Sequence, residues 1–189
     1  DSFNDYKILC TTVDDAAGEA FDKGARILGL KYPGGPEIEK ASIGGDIKKY
    51  KFKIPFVKSN PLNFSFSGLK TALLYLSQKF SKVELDKELS NIAASYQECI
   101  IDTLLKKLSS VIDIHHVDNI LIAGGVSANK RFRLKSSILE KEKNIKIHFP
   151  DFKYCTDNAA MIAMVGYKKM LQGEISKLDI LPFSSIEHA

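Results

Sequence analysis

Four short stretches of this chain hold residue types that could do chemistry. In ILIAGGVSANKRFRLKSSI (residues 120–138) an apolar run breaks at Gly124-Gly125 and turns basic with helical spacing. Where a strand hands over to a helix, the first helical turn presents unpaired N–H groups and the positive end of its dipole, which suits an anion. The pattern is neither a Walker sequence nor GxGxxG, so two readings stand. One is a phosphate or nucleotide loop with Ser127 as N-cap and Asn129 in the first turn; the other is a tight turn with an ordinary Ser cap. Lys130, Arg131 and Arg133 read equally as part of such a site or as a solvated basic face.

The second stretch is DDAAGEAFDKGARILGL (14–30). Asp15, Glu19 and Asp22 share one face of a helix whose other face carries Ala16, Ala20, Ile27 and Leu28. The helix dipole accounts for Asp14 and Asp15 but fades before Asp22. A cationic or polyhydroxyl ligand would account for Asp22, as would a solvent-facing acidic stripe balanced by Lys23 and Arg26. The third stretch, YPGGP (32–36), is a stiff turn with bare backbone at Gly34 and Gly35, open to a flat group or simply structural. In the fourth, CTDNAAMIAMVGY (155–167), Thr156, Asp157 and Asn158 precede the apolar run Ala159 to Val165, which predicts a buried helix. Asp157 either caps that helix or is one ligand of a metal that needs others. His115, His116, His148 and His188 lack helical metal-ligand spacing, and Cys155 reads as a small core residue.

The elements that must position these residues alternate. Strands are expected over 6–13, 48–57, 119–126 and 145–150, with Pro55 placing the second at an edge or end. Helices are expected over 14–30, in a short segment ending at Gly44-Gly45, and from about Ser67 to Phe80. A longer helix follows from Glu84 to about Val111, where Leu85, Leu89, Ile92, Tyr96, Ile100, Leu104 and Leu108 recur at steps of three and four. Two more helices follow the GGV and CTDN stretches, and the tail after Gly173 is loosely specified. Strands alternating with helices indicate an α/β layer, with the helices of about 67–113 as an insertion.

Composition narrows the class without naming a partner. At 189 residues, 44% hydrophobic and 26% charged, the chain can bury a core of its own. A net charge of +4 is too small to announce nucleic acid, although KKYKFK (48–53) and NKRFRLK (129–135) interleave basic and aromatic residues. The three cysteines, Cys10, Cys99 and Cys155, are odd in number and far apart, which suits a reducing, cytoplasmic setting. No apolar stretch approaches the roughly 20 residues that span a bilayer, so no membrane association is expected. The start at DSFNDYKILC has no initiator methionine and no signal-peptide layout, and reads as a piece of a longer chain.

Taken in order, DDAAGEAFDK, YPGGP, NFSFSGLKT, AGGVSAN and CTDNAAMIA resemble the carboxyl-terminal half of the tRNA adenosine threonylcarbamoyltransferases, the TsaD/Gcp family formerly labelled O-sialoglycoprotein endopeptidases. The resemblance covers nearly all of residues 1–189. It implies the actin-like ATPase (ASKHA, ribonuclease H-like) fold, in which this chain is the carboxyl-terminal of two related domains. It further implies transfer of a threonylcarbamoyl group from threonylcarbamoyl-AMP to the exocyclic amine of the adenosine next to the anticodon, in tRNAs reading codons that begin with adenine.

By the same resemblance, Asp22, Gly35 and Asn129 bind the adenylate-type substrate, Glu39 matches a contact of some branches, and Asp157 is a ligand of one divalent metal. Iron is the metal implied, with zinc and magnesium as alternatives. No side chain is implied as catalytic. The implied partners are tRNA and companion subunits similar to TsaB and TsaE.

Two histidines four apart, which complete the family's metal site, and a further Gly-rich phosphate segment would both lie before Asp1, so this chain alone is expected to be inactive. Two rivals share the shape: an inactive scaffold subunit of the same complex, and a metallopeptidase, kinase or ATPase. Intact Asp22, Asn129 and Asp157 speak against the first. The absence of an evident general base beside a nucleophilic water speaks against a peptidase.

Overall fold

The computed structural model describes residues 6–53, 57–58, 60–177 and 179. The chain falls into two compact units, one of Lys7–Thr156 and one of Asp1–Tyr6 with Asp157–Ala189.

In the larger unit, α1 (Ala17–Ile27) and α2 (Gly34–Ala41) pack together and against the middle of α4 (Lys82–His115), with α3 (Ser67–Ser77) beside them. Helix α1 stops where Gly29 takes φ +71°, letting the Leu30 N–H donate back to the Ala25 carbonyl at 2.9 Å. Helix α4 starts at a capping box, in which Glu84 accepts from the Ser81 N–H at 2.8 Å and Ser81 Oγ accepts from the Glu84 N–H. At 34 residues it is about 50 Å long and serves two cores at once. Its Ile92, Tyr96 and Ile100 join Phe21, Ala25, Ile38, Leu69 and Leu73 in one cluster. Its Ile101, Leu105 and Ile112 join Phe132, Leu139 and Ile145 in the other. The Tyr96 hydroxyl donates to the Ala20 carbonyl at 2.9 Å, so the largest buried side chain also locks α4 to α1.

Beyond α4 the chain forms a βαβ unit. Strand β1 (Asn119–Leu121) runs parallel to β2 (Lys146–His148), with Ile120 opposite Ile147. A 3-10 turn (Gly125–Ala128) and α5 (Lys130–Lys143) connect them. The chain is therefore α/β but mostly helical, with a small parallel sheet.

The strand expectations are met only in part. Over 6–13 the described residues form one parallel bridge, Thr12 with Phe64, instead of a strand. Residues 48–53 form no ladder, although Tyr50 and Phe52 turn toward the core while Lys49, Lys51 and Lys53 are exposed. Alternation fixes which side chains point inward, but a strand also needs a neighbour to bond with. Residues 54–56, including Pro55, lie outside the described residues, as does His188. The GGV strand, expected to be buried, ends at Leu121, which is 76% exposed, because among the described residues it has only β2 beside it.

In the smaller unit, α6 (Ala159–Leu171) forms where expected, but none of its residues is buried, contrary to the sequence reading. Apolar composition makes burial favourable, and only a covering layer makes it happen; the described residues of its own unit supply none. Its cap is Asn158, whose side chain accepts from the Met161 N–H at 3.0 Å, and not Asp157. No helix among the described residues is long and apolar enough to cross a membrane.

Candidate functional site

A cleft of about 510 Å³ opens in the larger unit, lined by α1, the start of α2, the loop from Ile122 to Asn129, and Phe132. Asp22, Gly35 and Asn129 all line it, as does Glu39. The first three sequence stretches thus meet at one place, and Thr156 of the fourth lines it too. Asp157 belongs to the smaller unit.

Asp22, Glu39 and Asn129 are each held by a bond the sequence does not announce. Asp22 does not share its face with Asp15 and Glu19 as a bare acidic stripe. Lys23 Nζ pairs with Asp15 at 2.5 Å and Glu19 at 2.9 Å, whereas Asp22 Oδ1 accepts from the Gly34 N–H at 2.7 Å and so ties α1 to the YPGGP turn. Asp14, read from sequence as a first-turn acid of α1, instead serves α3. Its carboxylate accepts from the Phe66 N–H at 2.7 Å and from the hydroxyls of Ser65 and Ser67. Burial pushes the Asp14 carboxyl upward, but these hydrogen bonds outweigh it and hold the group at about 2.

The strand-to-helix turn is more heavily subscribed than expected. Helix α5 is capped by Asn129, not Ser127: Asn129 Oδ1 accepts from the Phe132 N–H at 2.9 Å. Ser127 falls inside the 3-10 turn, a single extra turn that displaces the cap by two residues. Glu39 Oε1 accepts from the Lys130 N–H at 2.6 Å, so a carboxylate from α2 already sits at the α5 amino terminus. The N–H groups of Gly125 and Val126, at the head of the 3-10 turn, have no acceptor within that turn. Ser127 is 1% exposed, lines the cleft, and its hydroxyl has no hydrogen-bond partner among the described residues.

The basic stretch after the turn is largely structural. Arg131 makes two 2.8 Å bonds to Glu98, and Lys135 joins Glu98 at 2.6 Å and also Asp102. Burial raises the Glu98 pKa, but Arg131 and Lys135 outweigh it and lower it on balance. Arg133 donates to the carbonyls of Ser127 and Pro150 at 2.7 Å each and stacks over Phe149 and Phe152. Only Lys130 of the three basic residues first singled out is exposed. Sequence reasoning missed Gln97 and Glu98, both buried on α4. The available signal was two long polar side chains inside IAASYQECII, a run otherwise apolar or small.

Glycine placement sharpens the site. A Cβ on Gly34 would meet the Asp22 Cα at 2.5 Å and the Phe21 carbonyl oxygen at 2.7 Å, while a Cβ on Gly35, Gly124 or Gly125 would meet nothing within 4 Å. Gly124 has φ +90°, and Gly35 and Gly125 have no such backbone demand. Among the described residues no group of three or more His, Cys, Asp or Glu could hold a metal ion.

Fold and site together define an α/β protein with a ligand-sized cleft at the carboxyl end of a parallel strand, where such folds bind small molecules. The family described as TsaD, tRNA N6-adenosine threonylcarbamoyltransferase, matches residues 1–164, and the chain belongs to it. It is 53% identical over 170 residues to a Thermosipho africanus protein named tRNA N6-adenosine threonylcarbamoyltransferase, an alignment covering 90% of this chain and 51% of that protein. Proteins of the same name from Kosmotoga olearia (45% identical; 98% of this chain, 56% of that one) and Thermosipho melanesiensis (46%; 93% and 53%) are similar in the same way. The chain spans about half the length of the curated relatives it matches.

Proposed function

We propose that the chain is the adenylate-holding part of an enzyme that transfers a threonylcarbamoyl group from threonylcarbamoyl-AMP to the exocyclic amine of the adenosine beside the anticodon of tRNA. The observation that carries this is the meeting of Asp22, Gly35, Glu39 and Asn129 around one cleft of about 510 Å³, inside the size range of small-molecule sites. Its walls have the right mixture for an adenylate. Phe21, Val126 and Phe132 offer apolar surface to a base. The carboxylates of Asp22 and Glu39 can accept from ribose hydroxyls, and the open backbone at Gly35 and Gly125 allows close approach of a ligand.

The donor is a mixed carboxylic-phosphoric anhydride with a good leaving group. Attack by the amine nitrogen on the carbamoyl carbon breaks the bond to the phosphate oxygen and releases AMP, so no side-chain nucleophile is needed. Holding the anhydride, orienting the amine and offsetting phosphate charge supply the acceleration. On this reading the cleft binds the leaving half. The 3-10 turn amides at Gly125 and Val126, and the free hydrogen of the Asn129 amide, are the donors available to it.

The remaining assignments belong to the same reading. Asp157 is one ligand of a divalent metal, with iron favoured over zinc and magnesium; the described residues assemble no metal site, and no step of the transfer is derived through one. The fold is the actin-like one, with α3 and α4 as the helical insertion of about 67–113. Companion subunits similar to TsaB and TsaE, and a cytoplasmic location, complete it.

The test incubates the full-length protein with tRNA, threonine, bicarbonate, ATP and the companion enzymes and measures threonylcarbamoyladenosine by mass spectrometry. Product is expected from the unaltered protein and none from Asp22→Ala or Asn129→Ala, each still folded by circular dichroism but with a somewhat lowered melting temperature, because the first loses the bond to Gly34 and the second the α5 cap. Near-normal product from both variants would overturn the assignment.

A further inference from the structure

The cleft residue Asn129 is joined to the end of α2 through an unbroken line of buried or half-buried side chains. The Phe132 N–H donates to Asn129 Oδ1 at 2.9 Å, and Asn129 Nδ2 donates to Gln97 Oε1 at 2.7 Å. Gln97 Nε2 donates to Ser42 Oγ at 2.9 Å, and the Ser42 hydroxyl donates to the Glu39 carbonyl at 2.7 Å. The two ends of the line are backbone groups whose polarity is fixed: an N–H can only donate and a carbonyl can only accept. Every member between them must therefore point the same way. Turning either amide over would set donor against donor or acceptor against acceptor inside the protein, at a cost comparable to an unsatisfied buried group.

We infer that Gln97 is a positioning residue for the cleft: it fixes the orientation of the Asn129 amide, so that one Nδ2 hydrogen is committed to Gln97 and the other is held for the bound adenylate. This rests on the proposed reading of Asn129 as an adenylate contact. The amide group is planar, so committing one hydrogen sets the line of its partner, and Asn129 lines the cleft. Gln97 itself does not line the cleft, so it acts through Asn129 and not on the ligand.

Its placement also explains why a long polar side chain sits on α4 between Tyr96 and Ile100, with Gln97 only 5% exposed. From there it joins the end of α2, at Ser42, to the start of α5. The same two helices are joined a second time where Glu39 meets the Lys130 N–H. With both links made, the α2 and α5 edges of the cleft are held in one register before any ligand arrives, which is how a binding site avoids an ordering cost.

The test measures AMP binding by calorimetry on the full-length protein carrying Gln97→Met, Gln97→Glu, Asn129→Ser, and Asn129→Ser with Gln97→Met. Methionine fills the space without hydrogen bonds, glutamate keeps the acceptor that faces Asn129, and serine keeps the α5 cap while removing the amide donor. Gln97→Met is expected to weaken AMP about tenfold and Gln97→Glu less than about threefold, the loss of one oriented hydrogen bond against its retention. Asn129→Ser is expected to weaken AMP by about as much as Gln97→Met, and adding Gln97→Met to it should cost nothing more.

An equal loss in Met and Glu variants, or a Met penalty that persists in the Asn129→Ser background, would overturn the inference, as would a lowered melting temperature with unchanged AMP affinity. Unchanged affinity in Asn129→Ser would remove the adenylate reading of Asn129 and this inference with it. A loss there that Gln97→Met fails to reproduce would remove only the role of Gln97.

Discussion

Gly34-Gly35 leads into α2 and Gly124-Gly125 leaves β1, and in each pair one glycine answers to the fold while the other does not. Gly34 is there because α2 starts against α1, with no room for a Cβ between the turn and the Asp22 backbone. Gly124 is there because the backbone passes through φ +90°, although space around it is open. Their neighbours Gly35 and Gly125 have open space and no unusual φ, and both line the cleft. Neither packing nor conformation among the described residues requires these two glycines. The difference separates two meanings of a diglycine that sequence spacing cannot tell apart, and it leaves one residue in each pair open to a ligand.

Substitution by alanine breaks the comparison at its strongest point first. Gly34→Ala forces a methyl to within 2.5 Å of backbone atoms that belong to α1, so α1 and α2 must separate. Overpacking of this kind costs about 1–3 kcal/mol or more, and urea denaturation should show a midpoint shift of that size with the Asp22 to Gly34 bond lost. Gly124→Ala keeps its surroundings but puts alanine at φ +90° and ψ 169°, a region that essentially only glycine occupies, at a cost of about 1–3 kcal/mol by the same measurement. If Gly34→Ala left the midpoint unchanged, the packing account of the first turn would be wrong.

The helices were legible because their apolar residues recur at the helical period, and α1, α3, α4, α5 and α6 all form close to where that period places them. The strands were less so. Period-two alternation at 48–53 did identify which side chains turn inward, but ladder bonds depend on a neighbouring strand that no local pattern announces. Within the site, the spacing of Asp15, Glu19 and Asp22 suggested a shared role, and the fold divides it. Lys23 is close enough in sequence to take the first two, and only the return of the chain at Gly34 claims the third. The α5 cap was misplaced because Ser127 and Asn129 are both good capping residues, and the choice depends on a 3-10 turn and on Gln97, far away in sequence. Gln97 and Glu98 were passed over because reading α4 by its apolar stripe ignores polar side chains, whose partners on α2 and α5 exist only after folding.

The sharpest use of the comparison is the smallest perturbation of the fold. Gly35 is the second residue of α2, where alanine is a better helix former by about 0.5–1 kcal/mol, so Gly35→Ala should leave the midpoint unchanged or raise it slightly. Gly125→Ala, at the head of the 3-10 turn with nothing within 4 Å of the added Cβ, should be close to neutral. Both methyls nevertheless enter the cleft lining, where a ligand that needs close approach to the backbone would meet them. Calorimetric titration with AMP should then show weakened binding in both variants of the full-length protein, at equal or greater stability than the parent. Stability and affinity moving in opposite directions would be hard to obtain from a glycine kept for the turn alone. Wild-type affinity in both variants would mean that the open space at Gly35 and Gly125 is merely unused surface.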